Sequence, residues 1–148
     1  MNVFVFSQNM CKPSAAHLVK GVNRNKKIVI KKNYMIIRKE QVSKMDFDGL
    51  EIIDYTSGCN ESSSFAIIKV PQSIKHKVSW SKRSDKYYYV MEGEIKFTID
   101  DNTTILMQGD FCIIKKGSKF YYYNESDRDV MLVLVHTPNF DLNEEVFE

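Results

Sequence analysis

The chain is poor in the residues that staple a fold or mark a cofactor site. Its 148 residues hold three cysteines, three prolines, six glycines and one tryptophan. Cys11, Cys59 and Cys112 are odd in number and show no CxxC spacing, which argues against a disulfide framework and against a zinc site. Cys112 sits in an apolar run and reads as a small buried hydrophobe. No apolar run approaches the ~18 residues that a membrane-spanning helix needs. The opening "MNVFVFSQNM" lacks the basic start and long apolar stretch of a secretory signal, so a cytoplasmic protein is expected. Charge of one sign is also lacking. Lys and Arg number 21 against 19 Asp and Glu, a net charge of +2, too small to indicate nucleic acid. The lysines crowding residues 20 to 45 read as a solvated basic face. No nucleotide-binding loop or cofactor motif is present, so no cofactor is expected.

What is present favours β structure in a single domain. Eight Tyr and nine Phe bring the aromatics to 12%. From residue 27 onward, short β-branched and aromatic runs alternate with turn residues: "KIVIKK", "YMIIRKE", "LEIIDYT", "SFAIIKV", "KYYYVM", "IKFTI", "TILM", "FCIIK", "KFYYY" and "VMLVLVH". Glu92-Gly93 and Asp100-Asp101-Asn102 read as hairpin joints. The near-continuous apolar character of the last run predicts burial on both faces. About ten such strands predict an all-β barrel or sandwich. Residues 1–25 form an N-terminal extension, with a short helix expected between the N-cap Ser14 and Gly21. Residues 26–140 form the barrel domain, and residues 141–148 a tail that is a short helix or a mobile end.

Two segments carry a resemblance. In "SWSKRSDKYYYVMEG", Lys86 stands seven residues before Gly93. In "GDFCIIKKGSKFYYYN", Gly109, Gly117 and Asn124 are spaced like a second conserved motif. Together with the strand order and the ending "LVLVHTPNF", these resemble the cupin superfamily, over roughly residues 62 to 140. The resemblance implies a double-stranded β-helix, or jelly-roll, and a homodimer. It also implies where a metal would be held, and there the chain departs from the family. Ser79 and Ser81 stand at the two histidines of the first motif, Lys86 at its glutamate, and Phe120 at the histidine of the second motif. A longer loop would put His76 and Val78 at the first two positions instead. The first register leaves no imidazole or carboxylate ligand and the second a single imidazole, which cannot hold a divalent ion tightly, so no metal is expected.

Strand alternation places Lys86, Tyr88 and Val90 on one face, and Phe120, Tyr122 and Asn124 on another. By resemblance these faces line the barrel. The expected cavity combines Ser79, Ser81, Lys86, Tyr88, Phe120 and Tyr122, with Asn124 and Trp80 nearby as further ligand contacts. Lys86 has two readings: it binds an anionic ligand or acts as a base or Schiff-base amine, or it forms an ion pair filling the hole left by the metal, or reaches water at the barrel mouth. Tyr88 and Tyr122 are either working hydroxyls or packing, and Trp80 either gates a pocket or anchors a core. His136 is either a rim general base or a capped strand end, and His76, between Lys75 and Lys77, reads as a solvated loop residue.

Three functions fit. The first is a metal-independent cupin that binds a small, anionic metabolite and catalyses acid–base isomerisation, epimerisation, dehydration or cyclisation through Lys86, Tyr88, Tyr122 and His136. The second is a non-catalytic sensor, and the third a homodimerisation module with a filled barrel. None of them involves nucleic acid or a membrane.

Overall fold

The computed structural model describes residues 29–31 and 34–148. The helix expected at Ser14–Gly21 lies outside these residues. In chain order the strands are β1 (Val29–Lys31), β2 (Tyr34–Ile36), β3 (Lys44–Phe47), β4 (Leu50–Asp54), β5 (Ser64–Val70), β6 (Ser79–Ser81), β7 (Asp85–Glu92), β8 (Glu94–Ile99), β9 (Asn102–Met107), β10 (Phe111–Ile114), β11 (Phe120–Tyr123), β12 (Val130–Thr137) and β13 (Glu145–Phe147). Single 3₁₀ turns at Lys39–Gln41 and Leu142–Glu144 are the helical elements among the described residues.

Two antiparallel sheets form the jelly-roll. One has the order β10-β7-β12-β5-β4-β3 and the other β13-β6-β11-β8-β9, while β1 and β2 pair separately. β5, β6, β7, β11 and β12 bury alternate residues, as a period of two requires. On β12, Val130, Leu132, Leu134 and His136 are buried, and the residues between them are half-buried. The apolar run therefore does not mean full burial on both faces. Its outer side chains are only partly covered.

The turns explain the switch between sheets. Asp100 and Asp101 both have positive φ, at 44° and 66°, and join β8 to β9 in a two-residue hairpin. Glu92-Gly93 does not make a hairpin. β7 pairs with β10 and β12, whereas β8 pairs with β9 and β11, so the chain crosses from one sheet to the other at Gly93. Gly93 has φ of +87°, and a Cβ there would lie 3.0 Å from Val130 Cγ2. A turn residue thus signalled a corner rather than a hairpin.

Three strands had no apolar run to announce them: β3, β6 and β13. The last lies in the segment read as a tail. It follows a 3₁₀ turn whose N-cap, Asp141, accepts the Asn143 N–H, and it pairs with β6 in register Glu145↔Ser81, Val146↔Trp80, Phe147↔Ser79. Cys59, against the expectation of no disulfides, is disulfide-bonded, while Cys112 is free.

The core between the sheets combines aliphatic and aromatic side chains. Leu50, Ile68, Val70, Val90, Ile95, Val130 and Leu132 pack with Tyr88, Phe97, Phe120 and Tyr122. Tyr88 meets Phe97 edge-on at 5.2 Å and Tyr122 at 5.8 Å between ring centroids. Edge-on pairs add stabilisation beyond the area they bury.

Candidate functional site

Lys86 and His136 face each other across β7 and β12 and both point inward. Lys86 Nζ lies 2.6 Å from Glu145 Oε2, on β13 of the opposite sheet, and 3.1 Å from His136 Nε2. His136 Nδ1 lies 3.1 Å from Ser64 Oγ, which also accepts the Phe140 N–H at 3.2 Å. An ammonium can only donate, so Nε2 accepts from Lys86 and Nδ1 carries the proton given to Ser64. His136 is held as a neutral imidazole. Burial, and then the Lys86 charge, push it down to about 3. Lys86 itself is lowered by burial, against the opposing pull of Glu145.

In this cluster Lys86 forms a buried ion pair, one of the alternatives expected for it. The carboxylate comes from a part of the chain that carried no site signal. Glu145 was missed because it lies 59 residues from Lys86 and sits in a three-residue strand. The pairing balances the Lys86 charge within the chain.

The resemblance to cupins implies a metal held at the positions where Ser79, Ser81, Lys86 and Phe120 stand in this chain, and these residues do not suit one. The ammonium already engages His136 Nε2 and Glu145 Oε2, the atoms best suited to ligate. Among the described residues, no group of three or more His, Cys, Asp and Glu is arranged to hold an ion.

Next to the pair lies an aromatic wall. Lys86 Nζ stands 5.5 Å from the Phe120 ring centroid. His76 stacks on Phe120 at 5.4 Å and on Tyr122 at 4.6 Å. The solvated-loop reading of His76 is therefore wrong. Its backbone N–H donates to the Tyr122 carbonyl at 2.8 Å, which draws the loop before β6 inward. Burial pushes its imidazole down to about 4, and the Lys86 charge adds to the effect. Flanking lysines suggested exposure, but strand parity does not apply in a loop.

The other expected site residues divide. Ser79, opposite Phe120 in the ladder, is buried and its Oγ has no partner among the described residues. Tyr122 Oη is likewise buried without a hydrogen bond of ordinary geometry, and burial raises its hydroxyl above the usual range against the opposing effect of the nearby Tyr88 hydroxyl. Tyr88 lies deep in the core, where burial and then the neighbouring Tyr122 raise it further. Three residues have structural roles instead. Ser81 Oγ accepts the N–H groups of Arg83 and Ser84, shaping the turn into β7. Asn124 Nδ2 donates to the carbonyls of Val70, Pro71 and Arg128, while its Oδ1 accepts from Ser126. Trp80 lies on the far face of β6, under the Lys119 ammonium at 4.6 Å.

Two facing antiparallel sheets with buried polar groups between them define a small jelly-roll barrel. The cupin domain model Cupin_2 matches residues 67–136, and this match and the fold together support a cupin-type jelly-roll. A search of curated proteins found no significant match. Among solved structures, the Streptomyces nucleoside dehydratase Pac13 superposes with a TM-score of 0.68 at 17% identity, over 76% of this chain and 89% of that one. KdgF from Halomonas sp. gives 0.62 at 13% identity, over 71% and 94%. The Cnp3 cupin domain of Schizosaccharomyces pombe gives 0.59 at 17%, over 67% and 70%. At these identities the likeness is one of fold. No helix among the described residues is long and apolar enough to cross a membrane.

Proposed function

We propose that this cupin binds a small, uncharged, hydroxyl-bearing metabolite in its barrel and performs metal-independent proton-transfer chemistry on it, dehydration or isomerisation being the reactions that fit. One observation carries the reading. The buried Lys86–Glu145 pair leaves Glu145 Oε1 without a partner among the described residues. A buried carboxylate oxygen without a hydrogen bond is costly and serves as an acceptor for an incoming donor.

The chemistry follows from the groups. Dehydration needs one group to accept a carbon-bound proton and another to protonate the departing hydroxide. Glu145 Oε1 is placed to accept. The Lys86 ammonium, its affinity for the proton lowered by burial, is placed to donate, and neutral His136 orients it. Structures of Pac13 with uridine support trying neutral nucleosides and sugars as the first substrates.

The test is incubation of the full chain with such compounds in D2O, followed by proton NMR. Exchange or conversion that is lost in Glu145→Gln, with folding intact, supports the reading. Conversion unchanged in Glu145→Gln, or lost on adding EDTA and restored by a divalent metal, overturns it.

A second reading has its own observation. Tyr88, Phe120 and Tyr122 are fully buried against one another, as in a filled barrel. Outside, β10 and β7 present Phe111, Ile113, Tyr89 and Met91 exposed on one face. These support a homodimerisation module, a role that need not involve a ligand. Sedimentation of the wild type and of Phe111→Glu tests it. A dimer that dissociates in the variant, in a protein that binds no small molecule, favours the second reading.

A further inference from the structure

Three buried polar atoms near the ion pair are unused by the chemistry above. His76 Nδ1, Tyr122 Oη and Ser79 Oγ make no hydrogen bond of ordinary geometry among the described residues, although the Tyr88 hydroxyl lies near enough to bear on Tyr122 and the Lys77 backbone on His76. Their residues are 8%, 0% and 1% exposed. All three adjoin the Phe120 ring. His76 stacks on it at 5.4 Å, Tyr122 lies 6.5 Å away, and Ser79 is its ladder partner. Lys86 Nζ approaches the same ring at 5.5 Å. Phe120 thus forms a floor shared by the charged pair and by three uncharged groups.

Native proteins satisfy nearly all buried polar atoms, and each exception calls for an explanation. Three neighbouring exceptions on one wall are most simply a surface waiting for a ligand. We propose that His76 Nδ1, Tyr122 Oη and Ser79 Oγ form an uncharged recognition subsite that takes the hydroxyl groups of a sugar or other neutral polyol, beside the Lys86–Glu145 pair. The inference rests on the function proposed above and adds to it the class of group recognised.

Hydroxyls fit for three reasons. Ser, Tyr and neutral His each offer both donor and acceptor capacity, and so does an alcohol. Burial keeps His76 uncharged at neutral pH. A phosphate or carboxylate would need a countercharge, and the nearby ammonium is already paired with Glu145. An apolar ligand would leave all three atoms unsatisfied, which a site pays for in affinity.

The experiment is isothermal titration calorimetry of the full chain with uridine, D-ribose and 2′,3′-dideoxyuridine. Wild type should bind uridine at least about tenfold more tightly than its dideoxy analogue, the effect expected of one lost buried hydrogen bond. His76→Phe and Tyr122→Phe keep the stacked rings, so their melting temperatures should hold or rise. Their affinity for uridine should fall about tenfold, with little change for the dideoxy compound. Ser79→Ala serves the same purpose with the smallest change in shape if either aromatic variant fails to fold. Unchanged uridine affinity in the folded variants, alongside loss of proton exchange in Glu145→Gln, overturns the subsite and leaves the wider function standing. No binding of any of the three probes to wild type overturns both.

Discussion

Lys86 on β7 and Glu145 on β13 meet 2.6 Å apart between the two sheets, both almost fully buried. The pair ties the centre of one sheet to the end of the chain. Burial strips water from both charges and each compensates the other, so neither is tolerable alone.

Lys86→Met should therefore destabilise the protein by about 3–5 kcal/mol, because Glu145 is left buried and uncompensated. The double variant Lys86→Met with Glu145→Leu should recover most of that loss. Urea denaturation of the three proteins checks this, and additive losses in the double variant would contradict the pairing.

Acid should unfold the protein earlier than its surface carboxylates would suggest. His76 is held at about 4 and His136 at about 3, both below the ordinary histidine value of about 6.5. The unfolded chain binds these protons first, so stability is complete above about 6.5 and falls as pH drops through the folded values. The charges bearing on His76 are Lys86, Asp48 and Lys77, and the one on His136 is Lys86. His76→Phe should flatten the stability curve between pH 6 and 4 in a thermal-melt series, and an unaltered curve would show that His76 is not buried neutral.

Asn124→Ala should cost about 2–4 kcal/mol while leaving ligand affinity unchanged, since it strands three backbone carbonyls that a single side chain now serves. Calorimetric melting measures the loss. A selective effect on binding, with stability kept, would return Asn124 to the list of ligand contacts.

Gly93→Ala should destabilise by about 2 kcal/mol, because the left-handed backbone there disfavours a Cβ and Val130 Cγ2 lies 3.0 Å from where it would sit. Urea midpoints compare it with Gly117→Ala. That residue also has positive φ but nothing within 4 Å, so it should lose less.

Much of the site was legible because strands repeat every two residues. That period put Lys86 and Tyr88 together on β7, and Phe120, Tyr122 and Asn124 together on β11 and the residue after it. It did not say what each inward residue touches. Asn124 and Ser81 face inward and yet serve turns. Trp80 faces away, as its parity requires. His76 lay in a loop without parity, flanked by charges that suggested water.

The sequence by itself determined the architecture, because periodicity and turn chemistry are local. Only the tertiary structure decided what Lys86 pairs with. Glu145 comes from a three-residue strand without an apolar run, brought to Lys86 by its pairing with β6. His76 is drawn inward by a backbone bond to Tyr122. Contacts between residues this far apart in sequence depend on how the sheets close, and no local pattern encodes that closure.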